Sequence, residues 1–144
     1  MRRLLDAGVP TGLGVDGSAS NDAGHLLLEA RQAMLLQRVE NGADAFGTRE
    51  ALRLASRGGA EMLGRADCGQ IAVGKRADFV IWDMTGVETA GAWDPVAALV
   101  LCAPVGVRET FVEGKAVVRE GRLARAELRD IQAGAAASLK RLMS

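Results

Sequence analysis

One short run of strand character, with no partner in sequence, constrains this chain most. Thr11-Gly12-Leu13-Gly14-Val15 is small and apolar, follows the turn residues Gly8-Val9-Pro10, and stops abruptly at Asp16. Everything from there to Leu63 reads as loop and helix. A buried strand without neighbours leaves its backbone donors and acceptors unpaired, which is costly. The pattern therefore predicts a piece of a larger sheet rather than a self-contained α/β fold.

The rest of the chain is punctuated clearly. Residues 2–7 read as a helix stopped by Gly8. A helix over 23–39 is expected, with Ser20, Asn21 or Asp22 as its cap. Its apolar positions, Leu26, Leu27, Ala30, Ala33, Met34 and Leu35, span a wide arc and predict a largely buried helix. Thr48 is placed to cap a helix through Ser56, Gly58-Gly59 to break it, and Gly64 to close a short helix ending at Leu63. After Arg65 the pattern turns to β. Residues 77–83 read as a strand and 105–112 as another, with Glu113-Gly114 as a tight turn into 116–119. Between them, Asp94 caps a helical turn with Pro95 at its first position, running to Leu101. A final helix from about Glu127 carries Leu128, Ile131, Ala135, Leu139 and Leu142 at helical spacing.

Size and composition limit the function. At 144 residues and 15.1 kDa the chain can bury a core, but a complete (β/α)₈ barrel needs about 250 residues. Eighteen basic and eighteen acidic residues cancel, which argues against a nucleic-acid or anionic-membrane surface. Aromatics are 3% with no tyrosine, a poor base-stacking platform. His25 is the one histidine, so a zinc site built from several histidines is excluded from this chain. Cys68 and Cys102 form no CxxC pair and no disulfide-dense pattern, pointing to a reducing, cytoplasmic home. No run is long enough to span a membrane, and Asp6 interrupts the apolar start, so it is no signal peptide.

Two candidates for chemistry stand out. Gly12, Gly14 and Gly17 spell GxGxxG, but the run before them is helix end and turn, and Asp16 puts a carboxylate where a pyrophosphate would lie. Asp16 is the stronger candidate. It ends an apolar strand with glycines on either side, and barrel enzymes place catalytic groups at that end of a strand. On position alone, a strand-terminating aspartate bonded to its own loop amides is the better reading.

The wider motif changes the balance. Val9-Pro10-Thr11-Gly12-Leu13-Gly14-Val15-Asp16-Gly17-Ser18-Ala19-Ser20-Asn21-Asp22 resembles the last barrel strand of metal-dependent amidohydrolases, in their aminohydrolase branch. The form DGSASND is most like 8-oxoguanine deaminases and the hydroxydechloroatrazine-type hydrolases. Independently, Gly69-Gln70-Ile71-Ala72-Val73-Gly74-Lys75-Arg76-Ala77-Asp78-Phe79-Val80-Ile81-Trp82-Asp83 is similar to the family's return from the barrel into its small β-sandwich. Asp94 to Cys102 and the hairpin Val107 to Gly121 are similar to that segment too.

The resemblance implies an α/β fragment: the last β/α unit of a TIM barrel over residues 1–66, the C-terminal part of the composite β-sandwich over 67–122, and a terminal helix over 123–144. It implies that Asp16 is both metal ligand and catalytic proton carrier, with Ser18, Ser20 and Asn21 at the substrate rim. The metal would be zinc or iron, held in the full-length parent rather than by this chain alone. Metal-activated water would displace ammonia from a purine, pyrimidine or triazine, and Asp16 would move the proton. The family's HxH pair, its further histidines and its general-acid glutamate have no counterpart here, and Asp16 alone cannot hold a metal tightly. The chain is therefore expected to be the C-terminal part of such an enzyme and inactive alone. Two alternatives stay open: a non-enzymatic binding or oligomerisation module, and one subunit of a split amidohydrolase.

The remaining candidates read as structural. His25 is expected at the surface or rim, Cys68 and Cys102 in packing, Lys75-Arg76 in a solvated turn, and Trp82 and Trp93 as anchors of the sandwich core or its junction with the barrel. Val9, Leu13, Val15 and the 23–39 helix are expected to expose apolar surface and to promote self-association.

Overall fold

A computed structural model describes residues 1–17, 19–102 and 104–144. It divides into two compact units, one of Met1–Arg76 with Asp83–Val105 and one of Ala77–Trp82 with Gly106–Ser144.

The first unit is helical. It holds α1 (Arg2–Asp6), α2 (Leu26–Asn41), α3 (Thr48–Arg53), α4 (Gly59–Met62) and α5 (Pro95–Leu101). Ala30 and Met34 of α2, Phe46, Ala51 and Leu54, and Val100 of α5 form one buried cluster, with Met1, Leu5, Leu13, Leu52 and Ala55 packed against it. Gln37 is buried among them, and its side-chain oxygen accepts the Arg2 N–H at 2.8 Å, tying α1 to α2. Helix α2 is less buried than its apolar arc predicted. Ala30 and Met34 are inside, but Leu26, Leu35, Leu36 and Val39 face solvent, because the helices of this unit cover only one side of it.

Three boundaries differ from the sequence reading. Helix α2 is capped by His25, not by Ser20, Asn21 or Asp22. The N–H groups of Ser20 and Asn21 turn back to Gly17 O, both at 2.9 Å, and Gly24 bends the chain at φ +52° before the helix starts. Helix α3 is capped by Gly47, whose N–H donates to Glu50 Oε2 at 3.3 Å, while Thr48 is buried inside the first turn. Gly58-Gly59 does not break the helix. A π-turn over Leu54–Gly58 joins α3 to α4, and both glycines keep helical angles. Gly64, at φ +66°, ends α4 as expected, with Gly64 N–H on Glu61 O and Arg65 N–H on Ala60 O. Asp94 caps α5 as expected, accepting from Val96 N and Ala97 N with Pro95 next to it. Arg49 grips the same carboxylate at 2.7 and 3.2 Å.

Lys75 and Arg76 form more than a solvated turn. The Arg76 N–H donates to Asp67 O at 2.8 Å and Lys75 Nζ reaches Ala66 O, closing the loop between them. Arg65 grips the Asp67 carboxylate at 2.7 Å through two nitrogens, which holds its pKa down at about 2. Trp93 is fully exposed rather than an anchor. It lies between Gly91 and the α5 cap, where nothing among the described residues covers it.

The second unit is a four-stranded antiparallel sheet in the order β1 (Phe79–Trp82), β2 (Val107–Val112), β3 (Lys115–Arg119), β4 (Arg122–Leu123), followed by α6 (Leu128–Met143). Phe79 lies opposite Phe111 in register, and their rings stack at 4.7 Å. Trp82 is half-buried in β1. Glu113 and Gly114 sit at φ +52° and +73°, the mirror-image turn that suits a hairpin's twist. Glu120 and Gly121 repeat it at +48° and +73° and lead into β4, a strand the sequence reading missed. Asp78 Oδ1 accepts the Glu113 N–H at 2.7 Å, and Gly114 N–H reaches Ala77 O, pinning the first turn to the start of β1.

Candidate active site

Thr11–Val15 is extended but joins no ladder among the described residues, because the unit around it supplies only helices. Among the described residues, its cross-link is the Leu13 N–H to Leu54 O, at 3.2 Å. What seats it is a set of glycines. A Cβ on Gly12 would lie 2.7 Å from Gly59 Cα, and one on Gly58 would lie 2.4 Å from Thr11 O. The extended segment thus runs backbone to backbone against the π-turn. Gly69, at φ +85°, comes equally close to Ala60 from another side. This explains Gly12 and Gly58 by packing. The space a phosphate would need beside Gly12 is filled by helix backbone.

This seat aims the chain at Asp16. The residue has φ +60°, left-handed backbone that non-glycine residues adopt rarely and aspartate tolerates best. Its Oδ1 accepts the Gly17 N–H at 2.8 Å, and the residue is exposed. Among the described residues Oδ2 accepts no hydrogen bond. The carboxylate is thus bonded through one oxygen to the amide of its own loop.

The other predicted rim residues are only partly brought together. Ser20 is exposed in the turn that closes on Gly17 O. Asn21 is half-buried and its amide donates to Glu29 of α2, so it serves to tie the loop to the helix. Ser18 lies outside the described residues. His25 is half-buried, and among the described residues its buried Nδ1 has no hydrogen-bond partner. Cys68 and Cys102 are free and half-buried. Sequence reasoning missed Glu29 as the loop's anchor and Leu54 as the segment's acceptor. Neither has a local signal, since both act through tertiary contact.

The donor set does not make a metal site by itself. No three His, Cys, Asp or Glu side chains gather among the described residues. Asp16 offers one hard oxygen, and a catalytic zinc takes three protein ligands.

The chain is a mixed α/β fragment of helices and a four-stranded antiparallel sheet. Residues 1–117 match the amidohydrolase family, and the chain belongs to it. It is 47% identical over 118 residues to the 8-oxoguanine deaminase of Pseudomonas aeruginosa, covering 82% of this chain and 26% of that protein. It is 41% identical over 126 residues to the hydroxydechloroatrazine ethylaminohydrolase of Pseudomonas sp. strain ADP, again covering 82% and 26%. Among solved structures, an adenosine deaminase from Xanthomonas campestris with bound zinc superposes with a TM-score of 0.91 at 31% identity, over 99% of this chain and 33% of that one. The atrazine chlorohydrolase of Arthrobacter aurescens TC1 complexed with zinc gives 0.86 at 38% identity, over 94% and 31%. The chain thus spans about a quarter to a third of the length of the relatives it matches. No helix among the described residues is long and apolar enough to cross a membrane.

Proposed function

We propose that this chain supplies the Asp16 segment and a small β-unit to a hydrolase that removes ammonia from a heterocyclic ring, an aminated purine, pyrimidine or triazine. Residues 1–66 would be the end of the barrel, 67–122 part of the composite sandwich and 123–144 a terminal helix. One observation carries the reading. Asp16 follows an extended segment seated backbone to backbone on the π-turn, holds left-handed backbone at φ +60° and leaves its carboxylate exposed. Non-glycine residues in that region are uncommon and cluster at functional sites. The likeness to relatives named as deaminases and as zinc-containing hydrolases supports the substrate class.

A proton-carrying role for Asp16 is supported by its exposed carboxylate, bonded through Oδ1 to the Gly17 N–H. Oδ2 would then accept a proton from water and deliver it to a leaving amine. An asparagine would keep the shape and lose the proton. The family's metal would be held mainly by residues other than those of this chain, with Asp16 as one ligand.

Fusing residues 1–144 to the upstream part of the Pseudomonas aeruginosa 8-oxoguanine deaminase tests the reading. The folded, zinc-loaded fusion is expected to release ammonia from at least one aminated heterocycle. A folded, zinc-loaded fusion inert toward all three ring classes contradicts it.

A further inference from the structure

A series of hydrogen bonds runs from the Asp16 carboxylate along its loop to α2. Gly17 is held at both ends. Its N–H donates to Asp16 Oδ1 at 2.8 Å, and its carbonyl accepts the N–H groups of Ser20 and Asn21, both at 2.9 Å. Asn21 carries the series onward. Its side-chain Nδ2 donates to Glu29 Oε1 at 2.5 Å, eight residues along the chain. Asp16, Gly17, Asn21 and Glu29 are thus linked without a break.

The far end of this series is the firm one. Glu29 stands in the first turn of α2, and the next residue, Ala30, is buried with Met34 in the core of the helical unit. The loop itself has little to hold it. Ala19, Ser20, Asp22, Ala23 and Gly24 are exposed, and the His25 side chain makes no capping hydrogen bond where the loop enters α2. Asn21 and Glu29 are half-buried. A hydrogen bond to a carboxylate is roughly twice as strong as one between neutral groups, and a carboxylate suits the positive end of a helix. Glu29 is therefore a better anchor for the loop than a neutral side chain at that place.

We propose that Glu29 is a positioning residue for the Asp16 chemistry, acting through Asn21 and Gly17 on the amide that carries the Asp16 carboxylate. It touches no reacting atom. This rests on the reading of Asp16 as a proton carrier, and it adds what holds that carrier in place. A proton carrier works only while its oxygen stays in line with the water and the leaving amine, and a displacement of about 1 Å costs about 10²-fold in rate.

Amide hydrogen exchange on the chain itself reads the tie. Glu29→Ala is expected to speed exchange of the Ser20 and Asn21 N–H groups about tenfold while Met34 is unchanged. Glu29→Gln keeps an acceptor oxygen and leaves them within about threefold of the parent. The zinc-loaded fusion with the upstream part of the Pseudomonas aeruginosa deaminase reads the consequence. There Glu29→Ala is expected to lower kcat about 10–100-fold with KM within about twofold, and Glu29→Gln to recover most of the loss. Asn21→Asp sets a like charge against Glu29 and loses as much as Glu29→Ala. Adding Glu29→Gln to it restores the bond with donor and acceptor exchanged, and the rate with it. In an Asp16→Asn fusion, Glu29→Ala changes kcat by less than about twofold, because no proton carrier is left to position. A tie that serves folding alone would cost the same factor with and without Asp16, and that result overturns the proposal. So does unchanged exchange at Ser20 and Asn21, or a loss confined to KM. An active fusion in which Glu29→Ala is silent overturns this proposal alone, whereas a fusion inert before any substitution overturns the Asp16 reading and this proposal with it.

Discussion

At the residue scale, two adjacent glycines have opposite predicted effects. Helix propensity alone makes both Gly58→Ala and Gly59→Ala stabilising, by up to about 1 kcal/mol. Gly59 has helical angles and open space at its Cβ position, so Gly59→Ala gains about 0.5–1 kcal/mol. A Cβ on Gly58 would lie 2.4 Å from Thr11 O. Gly58→Ala must push the Asp16 segment off its seat and costs about 1–3 kcal/mol. Urea titration of the two variants reads the signs directly, and equal signs would disprove the close-packed seat. Asp67 gives a pH signature. Its hydrogen bonds from Arg65 hold the folded pKa at about 2, below the ordinary value of 3.8. A depressed carboxyl pKa favours the folded state only while the carboxyl is ionised. The contribution is therefore complete above about pH 4 and disappears between pH 4 and pH 2. Asp67→Asn should melt below the parent chain at pH 7 and together with it at pH 2, with a small difference at most because the pair is exposed. A gap that widens toward acid would reverse the assignment.

At the element scale, the signals that proved legible in the sequence are those that act locally. Asp94-Pro95 announced α5, Gly64 announced the end of α4, and Glu113-Gly114 announced the β2–β3 turn, because each is chemistry within a few residues. The same dipeptide at Glu120-Gly121 carried the signal for β4. The misreadings share another cause. Gly58-Gly59 looks like a break until Thr11 and Gly12 are seen against it. Trp93 looks like an anchor until its surroundings are known. Asp16 was legible as a candidate from its motif, but its left-handed backbone was not, since aspartate is compatible with more than one backbone region. Phe46 is the largest fully buried side chain and joins α2, α3 and α5 in one cluster. Phe46→Ala should cost about 3–5 kcal/mol, measured by denaturant unfolding of the helical unit. A loss under 1 kcal/mol would mean that the cluster does not hold the unit together.

At the scale of the whole molecule, surface area speaks for a body larger than this chain. The chain exposes 10185 Å². A compact protein of its mass exposes about 7,000 Å², and even two separate bodies with the masses of its two units would expose about 8,400 Å². Exposed apolar groups such as Val9, Leu36, Val39, Leu63 and Trp93 contribute to it. Asp16 is also among the exposed residues of the helical unit.

The most direct measurement is ammonia release by the fusion with the upstream part of the Pseudomonas aeruginosa deaminase, compared with its Asp16→Asn variant. Both should fold with the same circular dichroism and melting behaviour. The variant is expected to lose about 10²–10⁴ in kcat, the contribution of a positioned proton carrier. An Asp16→Asn fusion that turns over at the parent rate would contradict it.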